Sequence, residues 1–313
     1  MGEVRYTMLI TRDIIHEELQ FQNENMTRAI LSYKINDFKT LLLSHNAKKG
    51  DIVALSIIEV NHLHVAALFA CAELGMRVIL IDAPATKQSL PYTKLALHGP
   101  ADFCIDDGRH SLYDGLHGEM IKTYSKKLID LSEVNQYCYT SNKQPWQVSP
   151  EDPFLISSTS GSTSPSRKVE FSHKEVYEIS ERNIDIFKFE EESRIMHTRN
   201  MHHASALLTS LLPSLMASKY HDCFLIPDKR KFITYSSKKL RHKIKSEDFT
   251  HMMVSNIDTL KWFIDDTVSA FPTKLIMNMS GFTMTQEFID MSKQYNIEFM
   301  SHYGSIDTAI PLL

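Results

Sequence analysis

Short apolar runs alternate with helical patterns along most of this chain, and this alternation restricts the possible folds more than any other feature. The run DIVALSII at 51–58 has the continuous apolar character of a strand that is buried on both faces. The helical pattern after it has Asn61 as its predicted N-cap and Gly75 just past its end. Further strands are predicted at 77–82, 102–107, 153–157, 194–198, 223–227, 251–255, 274–280 and 297–304.

Amphipathic helical patterns fill the gaps between these strands, at 173–187, 205–217, 256–264 and 285–295. Strands that are regularly separated by helices predict a largely parallel, doubly wound α/β sheet with helices on both faces. The polar stretch 139–152 is the best candidate for a surface connection.

Composition excludes several classes of protein. The chain has 313 residues, and its net charge of −4 gives no reason to expect affinity for nucleic acid. No apolar run reaches the roughly 18 residues that a membrane span needs, and the N-terminus lacks a secretory pattern. The four cysteines are widely spaced, which favours buried, reduced thiols and a cytoplasmic protein. None of the 15 histidines stands in an HExxH frame, so zinc catalysis is not favoured.

The hydroxyl-rich run SSTSGSTSPSRK at 157–168 follows a predicted strand and precedes a helix that begins with an S-x-x-E capping box at Ser172. Ligands of doubly wound sheets gather at the carboxyl ends of the strands. Hydroxyls, exposed backbone N–H groups and the cations Arg167 and Lys168 suit a phosphate clamp, in which Gly161 permits close backbone approach. A solvated surface loop has the same composition, so composition alone leaves both interpretations open.

Two common nucleotide motifs do not fit this run. A P-loop counted from Gly161 would need glycine where Ser166 stands and lysine where Arg167 stands. The G-x-G-x-x-G dinucleotide pattern is also absent from the run, which argues against a nicotinamide enzyme.

Residues 159–173 resemble the phosphate loop of the acyl-adenylate-forming superfamily, whose usual pattern is T-S-G-[ST]-T-G-x-P-K-G-V-x-x-[ST]-H. The family includes acyl- and aryl-CoA ligases, beetle luciferases and the adenylation domains of peptide synthetases. The run fits without a gap, with Ser164, Ser166, Arg167 and Lys168 as departures. The opening segment from Ile30 and the blocks NMHHASALLTSLLPSLMA, IMNMSGFTMTQEF and SHYGSID are also similar to the family and come in its order.

The resemblance implies activation of a carboxylic acid by ATP and Mg²⁺, with coenzyme A or a carrier protein as a candidate acceptor. It assigns the phosphates to the hydroxyl-rich loop, with Lys168 in a catalytic role. The other implied phosphate contacts are Thr159, Ser160, Gly161, Ser162, Thr163, Ser164 and Arg167. The implied adenine contacts are Ser280, Gly281, Phe282, Tyr303, Gly304 and Ser305.

Alternatives remain at two of these adenine positions. Thr283 and Gln286 fit a helix capping box, so the segment from Ser280 is also readable as a helix entry. Tyr303 is equally compatible with a core tyrosine at the end of a buried strand.

Asp307 falls on the position of the family's Mg²⁺-binding glutamate, and the resemblance gives it a catalytic and a metal-binding role. Its side chain is one methylene shorter, and Mg²⁺ demands near-ideal geometry. Ile306 replaces a threonine whose hydroxyl faces the phosphate in the family.

His203 occupies the position that contacts substrate in the family. Imidazole is a poor counter-ion for an ammonium group, which disfavours an α-amino acid and favours an acyl or aryl acid. The alternative is a histidine that caps the helix at 205–217.

The implied fold is two packed, largely parallel doubly wound subdomains, at 1–190 and 191–313, that form an N-terminal domain incomplete at its C-terminus. The family's later T-G-D motif, hinge and mobile C-terminal domain have no counterpart here. Three functions follow as hypotheses: an adenylate-forming ligase or its front portion, a non-catalytic module that binds nucleotide or protein, and an unrelated doubly wound enzyme.

Overall fold

A computed structural model shows the architecture of the chain. It describes residues 8–21, 26–56, 62–81, 99–106, 123–136, 145–158, 167–198, 204–223, 233–254, 269–280 and 284–302. Among the helices in these ranges, none combines the length and the apolarity that crossing a membrane would require.

Strands and helices alternate through the described ranges, and both are numbered here along the chain. The strands are β1 (Gln20–Phe21), β2 (Met26–Thr27), β3 (Ile52–Ser56), β4 (Arg77–Leu80), β5 (Ala101–Asp106), β6 (Ser125–Asp130), β7 (Pro153–Ser158), β8 (Lys168–Ser172), β9 (Arg194–His197), β10 (Tyr220–Cys223), β11 (His251–Val254), β12 (Leu275–Ser280) and β13 (Ile297–His302). The helices are α1 (Arg28–Ser44), α2 (His62–Glu73), α3 (His173–Ile186), α4 (Ala204–Ala206), α5 (Leu212–Ala217), α6 (Ile233–Ser246) and α7 (Gln286–Tyr295). A π-helical turn, Leu207–Leu211, joins α4 to α5, and 3₁₀ turns lie at Arg12–Ile14 and Leu131–Gln136.

The first sheet has six strands in the order β6-β5-β3-β4-β7-β8. Five of them run parallel, and only β8 is antiparallel, paired with β7 at the edge. All five residues of β3 are buried, because this central strand is covered on both faces.

The second sheet has seven strands in the order β13-β12-β11-β9-β10-β1-β2. All of them run parallel except β2, which turns back against β1. The sheet is therefore built from the second half of the chain together with two short strands near the N-terminus. The division into subdomains at residue 190 stays a prediction.

A layer of helices lies between the two sheets and forms the largest apolar core. It joins α1, α2, α3 and the helical run 204–217 to Val53 and Val78 of the first sheet and Phe21 of the second. The opposite face of the second sheet is covered by α6 and α7, through residues such as Leu240 and Phe288. This arrangement confirms the α/β fold of two packed, mostly parallel sheets.

Apart from the strand predicted at 223–227, the predicted strands are confirmed over the described residues, with small shifts of their ends. The strand predicted at 223–227 shares only Cys223 with β10, and residues 224–227 lie outside the described ones. The helix predicted at 256–264 also lies outside them. Gly75 ends α2 as expected, with a left-handed φ of 60°. The capping box at Thr283 is wrong: α7 begins at Gln286, with Thr285 in the extended N-cap conformation.

Buried charge ties the N-terminal segment to the helical layer. The guanidinium of Arg12 donates to both carboxylate oxygens of Glu73, at 2.7 and 2.6 Å, and Lys39 Nζ lies 2.9 Å from the same carboxylate. Burial by itself would raise the pKa of Glu73, but hydrogen bonds from Arg12 and the charges of Lys39 and Arg12 outweigh it and lower that pKa. Glu73 therefore stays ionised inside the fold.

Neutralising Glu73 is expected to destabilise the protein. Glu73→Gln keeps the shape of the side chain but leaves Arg12 and Lys39 without their shared counter-ion, which should lower the free energy of unfolding by about 3 kcal/mol. The measurement is urea unfolding followed by circular dichroism. The matched control is Glu18→Gln, because Glu18 is an exposed partner of Lys219, and it should change stability by less than about 1 kcal/mol. Equal effects of the two changes would contradict this account.

Candidate functional site

The hydroxyl-rich segment lies between two paired strand ends of the first sheet. Ser158, the last residue of β7, is the register partner of Lys168, the first residue of β8. The chain therefore leaves the sheet at the carboxyl end of β7 and returns to the same point. The carboxyl ends of β3, β4, β5 and β6 share this edge because all five strands are parallel. The segment was predicted to run from a strand straight into a helix, and β8 is inserted between them.

Most of the site residues predicted from the sequence lie outside the described residues. Arg167 and Lys168 are described in full, and Ser280 is described in its backbone. The predicted site residues outside the described ones are Thr159, Ser160, Gly161, Ser162, Thr163, Ser164, His203, Gly281, Phe282, Tyr303, Gly304, Ser305 and Asp307.

The two predicted adenine-contacting segments follow neighbouring strands. Ser280 ends β12 and is the register partner of His302, which ends β13. Gly281 and Tyr303 are the next residues in the chain after these two ends. The parallel pairing thus starts both segments at the same edge of the second sheet.

Lys168 is half-exposed and forms an ion pair within its own strand. Its Nζ lies 2.5 Å from Oε1 of Glu170, two residues further along β8. The same carboxylate oxygen lies 3.5 Å from Nη1 of Arg77, at the start of β4. Because alternate residues of a strand share a face, Glu170 restrains the ammonium of Lys168 along one face of the edge strand. The sequence did not predict this partner.

The helix after the segment is anchored by its first residues. Ser172 and Glu175 form the predicted capping box, with each side chain bonded to the other residue's backbone N–H. His173 stacks on Phe154 with ring centroids 4.9 Å apart, and its Nδ1 accepts from the backbone N–H of Ile10 at 3.3 Å. Burial lowers the pKa of His173 to about 4. A neutral imidazole therefore links β7, α3 and the N-terminal segment.

A second group of buried histidines lies in the second sheet. His197 Nε2 and His221 Nδ1 are 3.1 Å apart, and His221 Nε2 lies 2.8 Å from the carbonyl oxygen of Ser218. Burial lowers the pKa of His221 to about 4 and that of His197 well below its usual range. His251, which contacts the carbonyl of Phe187, also has a pKa lowered by burial to about 4. The sequence analysis did not predict these three buried histidines. The signal that could have found them is their position in apolar strand patterns.

Two buried amides support the π-helical turn in the layer between the sheets. Asn183 of α3 donates to the carbonyl of Leu208 at 2.9 Å, and Asn278 of β12 donates to the carbonyl of Thr209 at 3.4 Å. Wider π-helical turns are often found at functional sites. This turn begins four residues after the predicted substrate contact His203.

The buried histidines are expected to make stability depend on pH between about 6.5 and 4. Their folded pKa values lie below the unfolded value, so the unfolded chain takes up protons first and stability is lost as pH falls through this window. Each histidine contributes up to about 1.4 kcal/mol per pH unit. The measurement is the free energy of unfolding in urea at several pH values from 7.5 to 5.

A histidine variant distinguishes the contribution of the buried histidines from a general loss of stability at low pH. His251→Gln keeps a donor for the Phe187 carbonyl but does not titrate, and should reduce the slope by about one quarter, since four histidines share it. A free energy of unfolding that is constant from pH 7 to 5.5 would contradict the expected slope.

Comparison with known proteins identifies the family of this architecture. Residues 14–256 match the family model described as AMP-binding enzyme. No curated protein matches the chain significantly in sequence.

Solved structures share its fold at low sequence identity. The N-terminal subdomain of Klebsiella oxytoca NpsA, in complex with 3-hydroxybenzoyl-AMSN, is 16% identical with a TM-score of 0.74, over 99% of this chain and 76% of that one. Unliganded O-succinylbenzoate coenzyme A synthetase (MenE) from Bacillus subtilis is 15% identical with a TM-score of 0.78, over 98% and 60%. MenE in complex with ATP and magnesium ion is 16% identical with a TM-score of 0.76, over 94% and 58%. The chain thus spans about three fifths of the length of MenE.

Proposed function

Because the chain belongs to the family of AMP-binding enzymes, we propose that it binds ATP and contributes to the activation of an acyl or aryl carboxylic acid as an acyl-adenylate. In this reaction a carboxylate oxygen of the acid attacks the α-phosphorus of ATP. A new P–O bond forms, the bond to the β-phosphate oxygen breaks, and pyrophosphate leaves with its electron pair. The protein's part in such a transfer is mainly positioning and charge stabilisation.

The main support for this proposal is the pairing of Ser158 with Lys168. It starts and ends the hydroxyl-rich segment at the carboxyl edge of a parallel sheet, where doubly wound folds bind their ligands. The segment supplies hydroxyls and backbone N–H groups, and Arg167 and Lys168 stand at its return to the sheet. Donors and cations of this kind match the β- and γ-phosphates of ATP.

The remaining roles follow from where the predicted residues stand in the chain. Gly281 and Tyr303, which follow paired strand ends, would hold adenine between them. His203 would contact the acid. Asp307 would hold Mg²⁺ through its carboxylate, and oxygen is the donor that this ion prefers. The bound ion would offset charge on the phosphates.

The later fate of the adenylate is also part of this proposal. Coenzyme A or a carrier protein would accept the acyl group, and the reaction would take place in the cytoplasm. MenE, which shares the fold, is a coenzyme A synthetase.

A second candidate function is a module that keeps the fold and binds a nucleotide or a protein without catalysis. It is favoured by Ile306, which places an apolar group where the family has a hydroxyl, and by the shorter carboxylate of Asp307. The ion pair of Lys168 with Glu170 also favours the binding module, because Glu170 already neutralises the ammonium group that a ligase would use in catalysis.

Removing loop donors is expected to weaken nucleotide binding. Ser162→Ala and Lys168→Ala should each raise the dissociation constant for ATP with magnesium at least about fivefold, since each change removes a donor or a charge of the kind that contributes roughly 1 kcal/mol or more. Isothermal titration calorimetry gives the constants, and thermal unfolding should show little change.

The matched control for Lys168 is Lys174→Ala in α3. Lys174 is an exposed lysine whose ammonium lies 3.6 Å from Glu151. Equal weakening by the Lys174 and Lys168 changes would show that general charge, and not this loop, binds the nucleotide.

Exchange of labelled pyrophosphate into ATP separates the two candidate functions. We expect exchange that depends on an added acyl or aryl acid, because adenylation is reversible on the enzyme. The assay uses the complete gene product that contains this sequence, with a panel of carboxylic acids. ATP binding without exchange for any acid would rule out the ligase and support the binding module.

A further inference from the structure

Four buried side chains in the second sheet, α3 and the π-helical turn carry a polar atom that has no hydrogen-bond partner among the described residues. They are His197 and Asn278 of the second sheet, Asn183 of α3 and Ser210 of the turn itself, and each side chain is at most 2% exposed. The atoms concerned are His197 Nδ1, Asn278 Oδ1, Asn183 Oδ1 and Ser210 Oγ. Native structures rarely leave such atoms unsatisfied, so each one calls for an explanation.

The register of the second sheet places His197 and Asn278 together. Met196, Met252 and Met277 form one row across β9, β11 and β12, and their side chains face α6 and α7. His197 and Asn278 are each one residue further along, so they share the next row and face the layer between the sheets. One strand separates them, which puts their backbones roughly 10 Å apart. Both lie near the carboxyl ends of their strands.

The hydrogen bonds of the pair of histidines determine which atoms carry protons. The carbonyl of Ser218 can only accept, so His221 Nε2 carries a proton and donates to it. His221 Nδ1 must then accept a proton from His197 Nε2. The remaining nitrogen, His197 Nδ1, is left as an acceptor. The neutral state that this requires agrees with the effect of burial on the pKa of His197.

The same reasoning applies to Asn278. Its amide nitrogen donates to the carbonyl of Thr209, which can only accept. The free atom of the side chain is therefore Oδ1, again an acceptor. Two buried acceptors in one row fit a group that brings N–H or O–H donors, and an alkyl group would leave both unpaired.

The charges of the side chains in and next to this row restrict which kind of hydrogen-bond donor can be buried here. Neither His197 nor Asn278 carries a negative charge, so neither compensates the burial of an ammonium ion. The buried acid of the neighbouring strand, Asp222, is next to His221 in the chain and so faces the other way, where its carboxylate lies 2.6 Å from Lys243 Nζ. The row therefore suits a neutral donor.

We propose that His197 and Asn278 are specificity-determining residues that accept hydrogen bonds from a hydroxyl or aromatic amine of the carboxylic acid substrate. This inference rests on the proposed function, since it assumes that the acid binds at the carboxyl edge of the second sheet. It adds that the acid bears a neutral donor in its body, away from the carboxylate.

Non-hydrolysable adenylate analogues test the inference. The probes are benzoyl-sulfamoyl adenosine and its 2-hydroxy, 3-hydroxy, 4-hydroxy and 2-amino derivatives, with dissociation constants measured by isothermal titration calorimetry. We expect at least one donor-bearing analogue to bind at least about tenfold more tightly than the benzoyl analogue, because a site built for a donor discriminates against its absence. Asn278→Leu, which is close in volume and has no acceptor, should reduce this ratio to less than about threefold.

The control variant is His251→Gln. His251 is the register partner of Ile195, two residues before His197, so it lies on the same face, and both of its ring nitrogens have partners, Thr250 Oγ1 and the Phe187 carbonyl. It should keep the ratio of the wild-type protein.

Two outcomes would overturn the inference, and they are distinguishable. Binding of the benzoyl analogue as tightly as every donor-bearing one, in the wild-type protein, overturns this inference and leaves the proposed function standing. This test stays decisive even where Asn278→Leu does not fold. Failure to bind any analogue, together with no binding of ATP, overturns the proposed function itself.

Discussion

The helical layer shared by the two sheets is the constraint on which the rest of the structure depends. In α2 every residue from His64 to Glu73 is buried, because the helix is covered on all sides. A helix in this position can carry a charge only where a partner reaches it. Glu73 is held by Arg12 from the N-terminal segment and by Lys39 of α1, so one buried carboxylate joins three parts of the chain. Burial of apolar side chains holds the layers together. The ion pairs of Glu73 with Arg12 and Lys39 fix the position of the N-terminal segment against the helical layer.

Sequence patterns predict the strands of this fold well, because a strand covered on both faces must be apolar almost throughout. They predict the short and partly exposed elements poorly. β1 and β2 have two residues each, too few to show any period. β8 was missed because its residues alternate in exposure and run directly into the capping box at Ser172, so the whole stretch appeared to be one loop.

The candidate site likewise has features that the sequence predicts and features that it does not. The capping box and the position of the hydroxyl-rich segment are local features, and the sequence predicts both. The contact of Glu170 with Lys168 depends on β8 being a strand. His197 and His221 are 24 residues apart, and they meet only because β9 and β10 pair in one particular register. Contacts of this kind are set by tertiary packing, which no local pattern encodes.

The position of β1 has a consequence for synthesis on the ribosome. Gln20 and Phe21 pair with Tyr220 and His221, and the backbone N–H of His16 donates to the carbonyl of Leu215 at 2.8 Å. These partners emerge about 200 residues later, on the order of 10–40 s at usual elongation rates. Until then β1 can pair only with β2, and Phe21 and Met26, both buried in the finished protein, lack the neighbouring strand β10. The pairing of β1 with the second sheet is therefore completed late, and a nascent chain arrested before residue 215 leaves one edge of β1 without its partner strand.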